Sequence, residues 1–404
     1  MTDLFNPQWT LQALKPAELG PYSPPLLSDE EKQRVWDHYR RGKPFRVPVI
    51  VSTNNRAALL DQRISHGGLT FRQVFSDAKA MLQSKLLWAY VCTMRYNHFQ
   101  DAPTGLPDAW HVSVDFQNVY EAWFFGCPVR YYDDQVPDTT PILGDENKRG
   151  VFEIDIDRPF DRPPFQTAVA FHEALAGYVG DKTFLDRPIV ADPPGYVGTD
   201  GPLTVAMNVR GPGILVDLMA DPEYAHALFA FFIEAALKRR RAFIKCFNMP
   251  DNPSWFADDS IALLGVEQYK EMLLPHHRRW YEGVGAPFGR RAIHLCGDAT
   301  RHFPTLKDEL GVTSFDTGFP VDFARLRETL GPDVEILGGV EVRLLATGTA
   351  AQVYARSREI LTSGIMNGGR FVFREANNLP PNVPWENLAA LYKAAFDFGR
   401  YDGG

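Results

Sequence analysis

The 404-residue sequence has few cysteines and no long apolar run, and each absence excludes a class of protein. Its four cysteines lie far apart and form no CxxC pair, which argues against a disulfide framework and for a reducing compartment. The longest apolar stretches are interrupted by His, Glu or Gly, well short of the roughly 20 residues that cross a membrane. The first residues have neither a basic start nor a long apolar region, unlike a secretory signal. We therefore expect a cytoplasmic protein with no membrane partner.

Basic runs, glycine-rich nucleotide motifs and internal repeats are also missing from the sequence. A formal net charge of -8 gives no support to a nucleic-acid partner. The densest basic cluster, Lys238 to Arg241, follows a long apolar stretch and is expected on the exposed end of an amphipathic helix. No GxGxxG follows the first apolar run, which disfavours an open dinucleotide-binding sheet. With 45% hydrophobic residues, the chain can bury a sizeable globular core.

Short apolar runs alternate with helical segments along the chain. Runs this apolar are typical of parallel strands that are buried on both faces. Eight of them, most followed by helices, predict a closed (β/α)8 barrel of the TIM type, with an open doubly wound sheet as the alternative. The runs span residues 45–53, 109–116, 203–211, 254–261, 290–297, 311–318, 333–340 and 369–378.

The predicted barrel covers residues 46–404, and residues 1–45 form an N-terminal arm with one polar helix. That helix should begin at Ser28 as N-cap, with Glu31 three residues later. A stretch rich in Pro and Asp at 127–165 predicts an inserted extended segment or hairpin. The arm would cover either a barrel end or a neighbouring subunit. Both remain open, so a homodimer is one expectation.

Polar residues end every predicted strand, where a barrel of this type builds its active site. A ring of carboxylates, His, Cys and Arg at a common rim indicates a cavity for a polar small-molecule substrate. The strand-end residues are Asn54 to Arg56, Asp115, Asn208, Arg210, Asp258, Asp259, His294, Cys296, Asp316, Glu341 and Arg374 to Asn377.

Several of these residues have an ordinary structural explanation as well. His294 and Cys296 share one face of a strand, as a metal pair or as a simple strand end. Asp115 either caps the next helix or enters the pocket. Only one of each adjacent pair, Asp258–Asp259 and Arg374–Glu375, should face the cavity. His276 and His277 are expected on the solvated face of a helix.

Three motifs stand out: "HLCG" after a strand, "ILGGVEVRLLATGTAAQV", and "NNLPPNVPWENLAAL" near the end. Together they resemble the uroporphyrinogen decarboxylase superfamily. "TDGPLTVAMNVRG" and "VDFQNVYEAWFFGCPVRYYDDQVP" resemble further segments, so that the likeness spans roughly residues 46–400. The superfamily includes zinc-dependent methyltransferases that move methyl groups between corrinoid proteins and coenzyme M. The resemblance implies a TIM-type barrel.

The decarboxylase branch is matched at one functional position. Asp115 matches that family's Asp, whereas its Tyr and late His fall at Asn208 and Asn377, and only Arg56 lies near its arginine segment. A polycarboxylated porphyrinogen needs guanidinium partners, which disfavours genuine uroporphyrinogen decarboxylation. The alternative is a metal-free carboxy-lyase in which Asp115 stabilises a protonated intermediate and Arg56, Arg210 or Arg374 binds a carboxylate. A barrel that binds a tetrapyrrole without transforming it is a third possibility.

The methyltransferase branch implies a zinc site of His-x-Cys and a later Cys. His294 and Cys296 match the first two positions, and Asn377 stands at the third. Glu375 is our expected third ligand, with Glu341, Asp259 and His302 as other sources. The leading hypothesis is a methyltransferase or demethylase that works with a corrinoid protein and uses Asp115, His294 and Cys296 in catalysis. Expected substrate contacts are Arg56, Asn208, Arg210, Asp259, Asp316, Glu341, Arg374 and Asn377.

Overall fold

The computed structural model describes residues 19–65, 68–195, 200–250 and 255–401. The α-helices in these ranges are α1 (Asp29–Arg40), α2 (Asn55–Leu60), α3 (Gln62–Ser65), α4 (Phe71–Ser76), α5 (Ala78–Met94), α6 (Tyr120–Phe124), α7 (Pro163–Val179), α8 (Pro202–Val209), α9 (Gly213–Ala220), α10 (Pro222–Phe247), α11 (Val266–Met272), α12 (Leu274–Gly283), α13 (Phe303–Leu310), α14 (Phe323–Leu330), α15 (Val342–Thr347), α16 (Ala350–Leu361) and α17 (Trp385–Phe398). None of these described helices combines the length and apolar character that a membrane span requires.

The strands are β1 (Val49–Ile50), β2 (Trp110–Val112), β3 (Val129–Arg130), β4 (Asp138–Thr139), β5 (Thr183–Phe184), β6 (Arg187–Ala191), β7 (Trp255–Ala257), β8 (Arg291–Leu295), β9 (Val312–Thr317), β10 (Glu335–Val340) and β11 (Phe371–Glu375). Six of them form a parallel sheet in the order β1-β11-β10-β9-β8-β7. Helices connect the strands, as parallel pairing requires. The prediction of an α/β fold built on parallel strands is confirmed.

The sheet continues past β7 through a single parallel bridge between Asp200 and Ala257. Ala257 pairs in register with His294, and His294 pairs with Asp316. The polar residues Asp200, His294 and Asp316 therefore lie at the same level of the sheet. On β8 the residues before and after His294 are buried against the helices, whereas His294 faces the barrel interior, as the alternation of an extended chain dictates.

The prediction of a strand at 203–211 is wrong, because these residues form α8. Pro202 occupies the first turn of this helix, where a backbone N–H would have no acceptor within the helix, so that proline costs no hydrogen bond there. Most of the helix is buried, so its apolar run lacks the polar face that would have marked a helix. The chain position that joins the sheet here is Asp200, three residues earlier.

The polar helix before the barrel begins as predicted. Ser28 caps α1 and the Glu31 side chain accepts from the Ser28 amide, which completes a capping box. The helix is tied to the rest of the chain: Trp36 Nε1 donates to the Asp101 carbonyl at 2.7 Å, and the Tyr39 hydroxyl donates to Glu335 at 2.8 Å. Residues 1–18 of the predicted arm lie outside the described residues.

The segment predicted at 127–165 contains a short hairpin. Strands β3 and β4 pair antiparallel, with Val129 opposite Thr139. The following stretch, which we predicted as extended, forms 3-10 turns at Lys148–Glu153 and Pro159–Asp161 instead. The insertion is thus extended only in its first part.

Two expectations of solvated helix faces are wrong in whole or in part. In the basic cluster of α10, Arg239 and Arg240 are 1% and 5% exposed, whereas Lys238 is half-buried and Arg241 is exposed as expected. His276 and His277 in α12 are also buried, and His277 Nε2 lies 2.9 Å from Asp258 Oδ2. Charged and imidazole groups fit there because carboxylates or other rings face them.

Candidate functional site

A cavity of about 890 Å³ lies at the carboxyl ends of the parallel strands. It is open to solvent and mostly polar, and strand ends and loops from the whole chain contribute to it. The residues that line it are Asn54, Arg56, Asp115, Gln117, Asn118, Tyr120, Glu121, Val136, Gly195, Asp200, Met249, Asp259, His294, Cys296, Asn377 and Asn378.

Three potential metal ligands meet on one wall of this cavity. His294 Nε2 lies 3.1 Å from Cys296 Sγ, because alternate residues of β8 point to the same side. Asp259, two residues after β7, accepts the Cys296 amide at 2.7 Å. One donor atom from each of these residues lies within 4.8 Å of the others.

This donor set fits a zinc ion. Zinc takes sulfur, imidazole nitrogen and carboxylate oxygen at about 2.0–2.3 Å, so ligand atoms on one ion stand roughly 3–4 Å apart. Small shifts of the three side chains would satisfy that spacing. Three protein ligands leave a fourth position for substrate, as catalytic zinc sites do. The third residue of this cluster is Asp259, which the sequence analysis named as another source of a ligand, and not the predicted Glu375.

Asn377 contacts the cluster through its amide. Its Nδ2 donates to Cys296 Sγ at 3.0 Å. The resemblance assigns a third metal-binding Cys to this position, and here an amide donor occupies it instead. A donor aimed at the sulfur stabilises the thiolate that a metal requires.

A chain of charged groups lies behind His294. Its Nδ1 is 2.8 Å from Asp316, and Arg374 Nη1 donates to the same carboxylate at 2.9 Å. Burial opposes protonation of His294, but hydrogen bonds to Asp316 and Cys296 outweigh it and raise the pKa to about 10. Metal binding at Nε2 would therefore release a proton.

Glu375 lies outside the metal cluster. It accepts from Arg374 Nη2 at 2.7 Å and from the Ser52 amide at 3.2 Å. Burial raises the pKa of Glu375 to about 7, against the pull of Arg374. Both members of this adjacent pair are buried. Neither of them is among the residues that line the cavity, where one was expected to face it.

Asp115 is held as an anion at the cavity wall. The Lys85 ammonium donates to it at 2.7 Å, and Gln117 donates through its amide N–H at 2.8 Å and its side chain at 2.9 Å. Burial opposes ionisation, but Lys85 and these hydrogen bonds keep the pKa of Asp115 below its usual range. Asp115 thus caps the following turn and also lines the cavity.

Sequence reasoning missed two buried carboxylates in the cavity wall, Asp200 and Glu121. Burial and then the neighbouring Glu121 raise the pKa of Asp200 well above its ordinary range. Burial also raises the pKa of Glu121, although Arg239 lies 3.4 Å away. The signal for Asp200 was an Asp-Gly-Pro step before a helix, which the predicted strand at 203–211 obscured.

Six predicted site residues are not among those that line the cavity: Asn208, Arg210, Asp316, Glu341, Arg374 and Glu375. Arg210 follows α8 and donates to Asp217 at 2.9 Å. Asn208 is within α8, so its assignment to a strand end was also wrong. Glu341 binds Arg356 at 2.9 Å in a separate groove. Arg56, Asp115, Asp259, His294, Cys296 and Asn377 do line the cavity.

The fold and the cavity define a class: α/β proteins of the TIM-barrel type with a polar site at the strand ends. Within that class, the chain belongs to the uroporphyrinogen decarboxylase (URO-D) family, which it matches over residues 30–398. The resemblance noted in the sequence is thereby confirmed.

Two methyltransferases are similar to this chain. A methylated-thiol–coenzyme M methyltransferase of Methanosarcina mazei is 34% identical over 213 residues, which cover 50% of this chain and 53% of that protein. The chain thus spans about half the length of this curated relative. A solved methyltransferase structure from Methanosarcina mazei has a TM-score of 0.62 and 16% identity, over 91% of this chain and 98% of that one. The structural likeness shows the shared fold.

Proposed function

We propose that this protein is a zinc-dependent methyltransferase that exchanges a methyl group between a small thiol or thioether and a corrinoid protein. The observation that carries the proposal is the cluster of Asp259, His294 and Cys296, whose donor atoms lie within 4.8 Å of one another in the cavity wall. The similarity to a methylated-thiol methyltransferase supports it independently.

Each part of the cavity has a role in this proposal. Zinc held by the three ligands would act as a Lewis acid toward the substrate sulfur. Asn377 donates to Cys296 Sγ and would stabilise the thiolate form when a metal binds. Asp115, fixed by Lys85, would orient a polar or cationic part of the substrate. The volume of about 890 Å³ admits a small molecule together with a reactive group presented by a partner.

The charge of the cavity disfavours the decarboxylase alternative. Its lining residues in the described chain include four carboxylates, and Arg56 is their one arginine. The other arginines proposed as carboxylate partners, Arg210 and Arg374, are bound to acidic residues of the protein itself. A polycarboxylated tetrapyrrole would therefore find Arg56 as its one guanidinium partner among the described lining residues.

Metal analysis of the purified protein tests the zinc site. We expect about one zinc per chain in the wild type under metal-replete conditions, a large loss in His294→Ala, and no loss in His111→Ala. His111 is a matched control, since it is an exposed histidine that pairs with Asp192. Equal zinc contents in wild type and His294→Ala, whether high or near zero, would contradict the proposal.

A methyl-transfer assay tests the reaction. Reduced cobalamin and a methylated thiol should give methylcobalamin and free thiol with the zinc-loaded wild type, and none with Cys296→Ala. Turnover of a carboxylated substrate that survives zinc removal but is lost in Asp115→Asn would favour the decarboxylase. A spectral shift of added corrinoid or porphyrin with no product would favour a binding barrel.

A further inference from the structure

Arg374 was predicted to contact substrate, but its guanidinium is already engaged by the protein. Nη1 donates to both oxygens of Asp316, at 2.9 and 3.0 Å. Nη2 donates to Glu375 at 2.7 Å, and Nε donates to the Glu375 carbonyl at 3.2 Å. All three nitrogens have protein partners, and the residue is 8% exposed.

The partners of Arg374 are themselves fixed. Both Glu375 carboxylate oxygens accept from the Ser52 amide at 3.2 Å, at the end of the neighbouring strand β1. On the other side, Asp316 accepts from His294 Nδ1 at 2.8 Å. A continuous path of charge-assisted hydrogen bonds thus runs from the backbone after β1 to a predicted metal ligand.

The sheet leaves room for this path. Strand β10 lies between β9, which carries Asp316, and β11, which carries Arg374. Leu337 is the register partner of Asp316, and Gly339 is that of Arg374. Because alternate residues share a face, Gly339 lies on the face of Leu337 and Asp316. A Cβ at 339 would collide with the Arg374 carbonyl oxygen, so the glycine lets β11 approach β10 closely at the residue whose guanidinium reaches Asp316.

We propose that Arg374 is a positioning residue for His294: through Asp316 it holds the imidazole with Nδ1 donating and Nε2 turned toward Cys296. This inference rests on the proposed zinc site. An orienting carboxylate on the far nitrogen of a metal-binding His fixes its ring and raises its basicity. A buried guanidinium whose two terminal nitrogens bridge Asp316 and Glu375 in turn keeps that carboxylate in place.

The test is the zinc affinity of the full-length protein, measured by competition with a chelator. Arg374→Gln should weaken zinc binding about 10- to 100-fold, and Arg374→Lys should weaken it less because a point charge replaces the fork. Arg356→Gln is the matched control. It removes a similar arginine from a carboxylate, Glu341, outside the cavity, and should leave zinc affinity unchanged.

A double variant separates positioning from folding. Arg374→Gln leaves the buried Glu375 without its guanidinium and is expected to destabilise the fold. Arg374→Gln with Glu375→Gln removes both charges together. We expect this double variant to keep the wild-type unfolding temperature within a few degrees and still to bind zinc about 10- to 100-fold more weakly. Wild-type affinity in the folded double variant would overturn the proposal.

The outcomes also distinguish this inference from the proposed function. If the wild type binds zinc and Arg374→Gln binds it equally well with a raised KM for substrate, Arg374 is a substrate contact and the inference alone fails. If the wild type itself binds no zinc in the same competition, the proposed function fails first. A fall in affinity with KM unchanged at saturating zinc supports the positioning role.

Discussion

Asp115 and Lys85 show how a single ion pair sets the chemistry available at one residue of the cavity. Lys85 comes from α5 and is 7% exposed, whereas the Asp115 side chain is about one-third exposed. A carboxylate held this way is a fixed negative charge rather than a proton donor. This favours electrostatic orientation of substrate over acid catalysis by Asp115.

Replacement of Lys85 by Met should expose the dependence of Asp115 on its partner. We expect a loss of about 1–3 kcal/mol in the free energy of unfolding at pH 7, because a partly buried carboxylate is left without its ammonium. Adding Asp115→Asn to Lys85→Met should recover most of that loss. Urea denaturation of the single and double variants measures both effects. If Lys85→Met is as stable as the wild type, solvent already screens the charge of Asp115 and the ion pair does not stabilise the fold.

The candidate site was partly foreseeable from single residues. His294, Cys296 and Asp259 follow from the ends of apolar runs, because strand ends meet at one rim in a parallel barrel. The proposed role of Asp316 and Arg374 in positioning His294 could not be predicted from the sequence. They contact each other across 58 positions of sequence, and a strand-end Arg looks the same whether it faces substrate or another carboxylate.

At the scale of elements, seven of the eight apolar runs contain a strand. Six of these strands form the main parallel sheet, and the seventh, β2, belongs to a three-stranded sheet in the order β2-β6-β5. The exception, α8, is apolar around most of its circumference. A fully buried helix and a fully buried strand carry the same signal at this length, so periodicity does not separate them. The error propagated to Asn208 and Arg210, which were assigned to a rim that they do not reach.

Strand β10 contains two adjacent glycines, although glycine inside a strand has no side chain to pack. Gly338 and Gly339 both lie inside the strand and are buried. A Cβ at 339 would stand 2.0 Å from the Arg374 carbonyl oxygen and 2.8 Å from the Phe373 ring. Backbone cannot move aside as a side chain can, so the glycine is required by close packing.

Two Gly→Ala substitutions should therefore act with opposite signs. Gly339→Ala is expected to cost about 3 kcal/mol or more, since β11 must shift to admit the methyl group. Gly177→Ala, in α7, meets nothing within 4 Å and should stabilise the protein by about 0.5–1 kcal/mol. Thermal unfolding of both variants gives the comparison. A neutral Gly339→Ala would mean that β10 and β11 are not held at this spacing.

Across the whole molecule, ionisable groups are buried on both sides of the barrel wall. The buried ionisable groups of the cavity belong to the candidate site, whereas those that pair between the outer helices contribute to the fold. His276 of α12 is an example: it is 7% exposed, and its Nε2 lies 3.0 Å from His226 Nδ1 in α10. The other charged or titratable groups that act on it are His277 and Arg279. No carboxylate is among these neighbours, so protonation of His276 would be uncompensated.

This arrangement predicts a loss of stability in mild acid. Burial, then His226, His277 and Arg279, lower the pKa of His276 to about 3 from 6.5. Below pH 6.5 the His276 side chain therefore binds a proton in the unfolded chain but not in the folded chain. The free energy of unfolding is unaffected by this group above pH 6.5 and falls as the pH drops toward 3, by about 2 kcal/mol at pH 5. His276→Gln should flatten the fall in unfolding free energy between pH 7 and 5, whereas the exposed His111→Gln should not. If His276→Gln keeps the wild-type slope, the acid sensitivity arises elsewhere in the molecule.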